Sequence, residues 1–147
     1  MNTEIERKFL VSADTYRQLA HESMCIQQAY LNKDAERTVR IRIANQQAWI
    51  TVKGKSDASG LVRLEWEKEI AVEEAQSLLS LCLPKPILKT RFLVPYHDLE
   101  IVVDEFEKPK KMILAEVELP SVDTPFNPPE WLGKEVTGDP SYYNSRI

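Results

Sequence analysis

The sequence predicts an α+β chain dominated by antiparallel strands, about eight of them, curled into a barrel with a charged interior and helices packed on the outside. Three observations predict it. Short runs of alternating apolar and polar residues recur along the chain, separated by polar turns, which is the period-two pattern of hairpin strands. The polar positions in those runs are chiefly Glu, Arg and Lys, with Thr and Gln scarce. Only two or three short stretches carry helical spacing.

The elements follow in order. Residues 4–11 form a strand that sets Glu4, Glu6 and Lys8 on one face and Ile5 and Phe9 on the other. Ser12 is placed to cap a helix over residues 13–22, with Tyr16, Leu19 and Ala20 as its apolar stripe. Residues 26–31 are strand-like and end at the polar turn Asn32-Lys33-Asp34. Residues 36–44 alternate Thr38, Arg40 and Arg42 with Val39, Ile41 and Ile43. After Asn45-Gln46-Gln47 the chain returns over residues 48–53, with Trp49, Thr51 and Lys53 on one side and Ala48, Ile50 and Val52 on the other.

A Gly- and Ser-containing loop, residues 54–60, leads into residues 61–70, where Arg63, Glu65, Glu67 and Glu69 oppose Val62, Leu64, Trp66 and Ile70. Residues 72–82 carry the clearest helical pattern, Val72, Ala75, Leu78, Leu79 and Cys82, closed by Pro84 and Pro86. Strands are expected over 87–94, 99–106 and 112–119, and one short helix around 130–132. No repeat or linker divides the chain, so residues 1–147 are expected to form one domain.

The polar faces collect acids at Glu4, Glu6, Glu65, Glu67, Asp104, Glu116 and Glu118, and bases at Lys8, Arg40, Arg42, Lys53, Lys89 and Arg91. An ordinary sheet could show such a face to water. Several strands with the same habit fit better with a sheet curled around its charges, the apolar faces packing outward against the helices. Such an interior must hold water, ions or a charged ligand, because unpaired charges in low dielectric are costly. Carboxylate clusters suit Mg²⁺ or Mn²⁺, and Arg and Lys suit phosphate. Together they point to metal–polyphosphate and to electrostatic stabilisation of phosphoryl transfer.

Composition narrows the classes further. Hydrophobic residues at 43% and charged residues at 29% are globular values. A net charge of −4 and a pI near 5.3 argue against a general nucleic-acid binder. Cys25 and Cys82 have no metal or disulfide spacing and are expected as small buried apolar residues of a cytoplasmic protein. His21 and His97 are expected at a helix end and a turn, outside any catalytic role. No signal peptide or membrane-spanning apolar run is evident.

The residues now resemble a known family. Glu4-x-Glu6-x-Lys8 is similar to the ExExK signature of the CYTH superfamily, the triphosphate tunnel metalloenzymes. The resemblance continues through Tyr30-Leu31, Arg40-x-Arg42, Thr51-Val52-Lys53-Gly54, Arg63-x-Glu65-x-Glu67, Lys89-Thr90-Arg91, Asp104 and Glu116-x-Glu118, to a tail with Thr137-Gly138, Tyr142 and Asn144. It implies an eight-stranded tunnel, open at both ends, that binds a triphosphate with two divalent cations, Mg²⁺ or Mn²⁺. Phosphate would be held by Lys8, Arg40, Arg42, Lys53, Lys89 and Arg91, and metal by Glu4, Glu6, Glu65, Glu67, Glu116 and Glu118. It further implies catalytic roles for Glu4, Lys8 and Lys134, with Tyr142 near the terminal phosphate.

The activity so implied is hydrolysis of tripolyphosphate to pyrophosphate and phosphate. A class IV adenylate cyclase, a thiamine or nucleoside triphosphatase and a non-catalytic polyphosphate-binding module are the alternatives. The expected partner is the triphosphate, with no nucleic acid and no membrane; a homodimer is left open.

Overall fold

Strand β1 (Asn2–Val11) is the seam on which the barrel closes. A computed structural model describes residues 2–147 of the chain. After β1 come a single helical turn, α1 (Tyr16–Leu19), and the strands β2 (Glu22–Asn32), β3 (Arg37–Ala44), β4 (Gln47–Gly54) and β5 (Val62–Ile70). Helix α2 (Val72–Leu79) precedes β6 (Ile87–Tyr96), β7 (Leu99–Lys108), β8 (Met112–Glu118) and a short β9 (Leu132–Glu135). Two 3-10 turns, Pro140–Tyr142 and Asn144–Arg146, end the chain.

The strands are antiparallel in the order β5-β4-β3-β2-β6-β7-β8-β1, and β1 pairs with β5 to close the ring of eight. One edge of β1 is taken by β8 along Glu6–Leu10. The other edge is shared: Asn2 to Ile5 pair with β5, and Phe9 and Val11 pair with β9. The ninth strand therefore fills the part of the wall that β5 does not reach. Closure leaves the ring without an open edge.

The apolar outward faces of β1, β6, β7 and β8 are covered by α1 and the segment after β8. There Phe9, Tyr16, Val94, Ile101, Val103, Ala115, Val117, Phe126 and Trp131 form one core. Helix α2 covers Ile41 and Ala48 with Ala75. A third cluster differs in kind. Tyr30, Ile87, Phe106 and Leu114, with Leu10 and Met112 beside them, stand two residues along from inward-facing charged or polar positions of the same strands. They pack with the C-terminal Ile147, which ties the tail to the barrel wall.

Several local expectations are corrected. The helix over 13–22 is only one turn, because the amide of His21 bonds to the carbonyl of Leu93 and residues from Glu22 on pair with β6. That pairing also lengthens the strand expected at 26–31. The helix over 72–82 ends at Leu79; the amides of Leu81 and Cys82 then bond three residues back, to Leu78 and Leu79. Where a short helix was expected around 130–132, residues 130 and 131 form a turn and Leu132 opens the strand β9. Cys25 is exposed and Cys82 only half-buried. Among the described residues no helix covers Leu64 and Trp66 on β5, which remain 55% and 41% exposed. Among the described residues no helix is long and apolar enough to cross a membrane.

Candidate functional site

Strand register decides which charges meet. Across β3, β4 and β5 the inward rungs are Thr38–Lys53–Glu65 and Arg40–Thr51–Glu67. Across β8 and β1 they are Glu116–Lys8 and Glu118–Glu6. Across β6 and β7 Arg91 faces Asp104. Closing β1 on β5 brings these groups, Asp104 excepted, around one cavity of about 250 Å³.

All the expected site residues line this cavity except Lys89 and Lys134. Lys134 stands on exposed backbone of β9, away from the lumen. Lys89 is 1% exposed and sits behind the lining, its Nζ 2.7 Å from Asp104 Oδ2 and 3.0 Å from Asn144 Oδ1. Trp49, in phase with Thr51 and Lys53, is half-buried and not part of the lining. Arg63 does line the cavity, its Nε donating to the carbonyl of Gly54 at 2.9 Å.

The lining carries six carboxylates, Glu4, Glu6, Glu65, Glu67, Glu116 and Glu118, against six cations, Lys8, Arg40, Arg42, Lys53, Arg63 and Arg91. Lys53 Nζ lies 2.8 Å from Glu4 Oε2 and 3.6 Å from Glu65 Oε2. Its directional hydrogen bond, at 3.0 Å, goes to Glu4 Oε1, so Oε2 is charge-paired but accepts no aimed donor. Thr51 donates its hydroxyl to Glu67 at 2.6 Å and accepts from Arg40 at 3.2 Å. Lys8 Nζ is 3.4 Å from Glu116 and donates to the backbone carbonyl of Tyr142 at 3.0 Å.

The buried charges fall into two groups with opposite titration. Burial pushes Asp104 up, but Lys89 and the bidentate Arg91, at 2.8 and 2.9 Å, outweigh it and hold the carboxyl far below its usual range. Burial likewise works against Glu116, and Lys8 overcomes it, leaving a pKa of about 2. Glu4 is drawn down, burial being offset by Lys53. Glu6 goes the other way. Burial and its neighbours Glu116 and Glu4 push it well above the ordinary value. Glu118 is raised by burial, Glu4 and Glu65. Burial, with Arg40 and Arg91 nearby, lowers Arg42 to about 9, and its Nε donates to the fully buried Gln28 at 3.0 Å.

The sign of the stability–pH relation follows. Asp104 and Glu116 have folded pKa values below their unfolded ones, so their contribution is complete above about pH 4–5 and is lost as pH falls through the folded values. Glu6 opposes them, losing stability as pH rises through its raised pKa. The melting temperature of metal-free protein is therefore expected to fall between about pH 5 and pH 2 and to change less between pH 5 and pH 6. A circular-dichroism melting series across that range checks it; a flat profile below pH 5 would show that these pairs contribute nothing.

A divalent cation fits this donor set. Hard carboxylate oxygens converge from β1, β5 and β8, one of them lacks an aimed donor, and the crowding that raises Glu6 is relieved by positive charge. Among the described residues no three acidic, His or Cys groups form a ready-made cage. A small hard cation does not require such a cage, since it keeps several waters and binds through one or two carboxylates.

The motifs left parts of the site unread. Gln28 is an amide on an inward position of β2, and Tyr143 and Asn144 reach the cavity from the tail. Asn144 Oδ1 accepts from both Lys89 and Gln28, joining the tail to two wall strands. Gln28 shares the parity of Tyr30, which could have marked it; the tail residues carry no periodic signal.

Comparison with known proteins agrees with this architecture. The CYTH domain family model matches residues 2–143. An inorganic triphosphatase of Acetivibrio thermocellus is 41% identical over 149 residues, covering 100% of this chain and 94% of that protein. The crystal structure of the inorganic triphosphatase NE1496 superposes with a TM-score of 0.65 at 30% identity, over 99% of this chain and 94% of that one. The PH1012 protein of Pyrococcus horikoshii OT3 shares the fold, with a TM-score of 0.65 at 16% identity, over 82% of this chain and 80% of that one. With its closed antiparallel barrel and its six carboxylates facing six cations, the chain belongs to the CYTH family.

Proposed function

We propose that this protein hydrolyses the terminal phosphoanhydride of a triphosphate, inorganic tripolyphosphate in the first place, giving pyrophosphate and orthophosphate. The observation that carries the reading is the equal number of carboxylates and cations around one enclosed cavity. A wall so balanced suits a ligand that is nearly neutral as a whole but locally of both signs, as a triphosphate with divalent cations is. The full-length similarity to an inorganic triphosphatase supports the same substrate class.

In this reading Lys8, Arg40, Arg42, Lys53 and Arg91 bind phosphate oxygens, Arg as a planar fork and Lys as a point charge. Glu4, Glu6, Glu116 and Glu118, with Glu65 and Glu67 on the neighbouring β5, would hold Mg²⁺ or Mn²⁺, which would supply charge neutralisation and a more acidic bound water. Lys89 acts from behind, sharing Asp104 with Arg91 and so fixing the guanidinium that faces the cavity. Gln28 does the same for Arg42 through its Oε1. Lys8 exchanges the Tyr142 carbonyl for a phosphate oxygen as substrate enters.

Purified protein with Mg²⁺ or Mn²⁺ is expected to release orthophosphate and pyrophosphate in equal amounts from tripolyphosphate, and to stop when EDTA is added. Products resolved by anion-exchange chromatography decide it. No phosphate from tripolyphosphate, ATP or thiamine triphosphate with either metal would overturn the reading, as would cyclic AMP appearing from ATP in place of phosphate.

A further inference from the structure

Two cations with no acceptor of their own fix the direction of a hydrogen-bond chain that runs from the barrel wall to the tail. Arg42 Nε donates to Gln28 Oε1 at 3.0 Å, so the other end of that buried amide is Nε2. Gln28 Nε2 then donates to Asn144 Oδ1 at 3.3 Å, and Lys89 Nζ donates to the same oxygen at 3.0 Å. An ammonium cannot accept a hydrogen bond, so the Asn144 atom facing Lys89 is its oxygen and cannot be exchanged for the nitrogen. The other end of the Asn144 amide, Nδ2, is left free of both partners.

Among the described residues no group accepts a hydrogen bond from Nδ2. Nor is it sealed inside the protein: among the described residues the buried side-chain atoms without a partner are Glu4 Oε2 and Arg40 Nε. Asn144 lines the inner cavity, as Lys8, Arg42 and Arg91 do, so the cavity is where this donor is open. Asp104, the carboxylate that shares Lys89, does not take it; its oxygens serve Lys89 and Arg91. The tail is anchored without Nδ2. The Tyr142 carbonyl accepts from Lys8 Nζ at 3.0 Å, and Ile147 packs with Tyr30, Ile87, Phe106 and Leu114.

We infer that Asn144 is a further substrate-binding residue, its Nδ2 donating to a non-bridging oxygen of the phosphoryl group served by Arg42 and Arg91. The inference rests on the triphosphatase reading and adds to it a neutral donor supplied by the tail. A further cation at this point would draw the wall carboxylates to itself, whereas an amide N–H carries no net charge and stays available. A phosphate oxygen, being charged, is a stronger acceptor for it than water. Because Lys89 and Gln28 clamp Oδ1, the donor is held in place before substrate arrives.

The test separates the two ends of the amide. Asn144→Asp keeps an oxygen for Lys89 and Gln28 but removes the N–H donor; Asn144→Ala removes both. Ser145→Asp adds the same charge one residue along the tail, on a side chain that also lines the cavity, and serves as the charge control. With tripolyphosphate and Mg²⁺, Asn144→Asp is expected to raise KM about tenfold more than Ser145→Asp does, the scale of one lost hydrogen bond to a charged group. Its kcat should stay within about threefold of the control's, the mark of a contact made equally in ground and transition states. Its melting temperature should stay within about 3 °C of wild type. Asn144→Ala should raise KM about tenfold over wild type and melt lower, having lost the acceptor as well.

Equal KM values for Asn144→Asp and Ser145→Asp would leave Asn144 a purely structural tie and overturn the inference. So would a fall in kcat at unchanged KM, or a loss of activity that only tracks loss of the folded state. If wild type hydrolyses no triphosphate, the triphosphatase reading fails by itself, and calorimetric binding of tripolyphosphate with Mg²⁺ judges Asn144 separately. Weaker binding by Asn144→Asp than by Ser145→Asp supports the inference; equal binding, or none by wild type, rejects it.

Discussion

Replacing Asp104 with Asn is expected to lower the melting temperature by more than about 6 °C. The carboxylate is 3% exposed and serves two cations at once, Lys89 at 2.7 Å and Arg91 through both of its oxygens. Burial, together with Arg91 and Arg42, draws the pKa of Lys89 down, and the Asp104 carboxylate works against that; Nζ also donates to Asn144 Oδ1. Removing one partner of such a buried set costs about 3–5 kcal/mol, because the other charges stay buried without compensation. For a chain of this length each kcal/mol is worth roughly 2–4 °C. The companion variant Asp104→Asn/Lys89→Met removes one of the two stranded cations and is expected to regain at least half of the loss. Thermal melts of both proteins check this. A single variant within about 1 °C of wild type would show that the triad does not stabilise the barrel.

Replacing Glu6 with Gln is expected to do the opposite: raise the stability of metal-free protein while lowering turnover by on the order of a hundredfold or more, the scale of one lost transition-state charge contact. Glu6 stands opposite Glu118 across β1 and β8 and is pushed up by burial, Glu116 and Glu4. A raised carboxyl pKa means that ionising the group destabilises the fold, so the penalty is absent below the unfolded pKa and grows as pH rises through the folded one. The gain from Gln should therefore be visible at pH 8, as a rise of a few °C, and absent at pH 4. Melts at the two pH values, with phosphate release from tripolyphosphate alongside, separate the two roles. Full activity with unchanged stability would remove Glu6 from the site.

The two variants differ because the interior holds two kinds of charge. Asp104 is satisfied by protein groups and contributes to stability. Glu6 is crowded by its own kind and is the sort of group a cation would complement. This division is a property of register, since both residues sit at inward positions of alternating strands.

The charged faces were legible in the sequence because strand side chains alternate with period two, and a charge at every second position is visible without coordinates. That alternation fixed which residues could share a lumen: Glu4, Glu6 and Lys8 on one strand, Arg40 and Arg42 on another, Glu116 and Glu118 on a third. It also placed Lys89 in the right phase, but phase does not report depth. Only the stacking of Lys89 on the ring of Phe106 at 5.1 Å and its pairing with Asp104 put it behind the wall.

Other features had no local signal at all. Residues 132–135 become a strand because β1 leaves half of one edge open beyond its pairing with β5, and an unpaired edge takes whatever extended segment reaches it. The single turn of α1 yields to the pairing of β2 with β6, tertiary hydrogen bonds outweighing a weak local preference. The sequence by itself determined the set of charges and the side of the sheet each occupies, since both depend on neighbours within a strand. Only the tertiary structure decided which of them are satisfied, which are crowded, and where the tail packs on the barrel, because those depend on register and on contacts between residues more than a hundred positions apart, such as Lys8 with Tyr142.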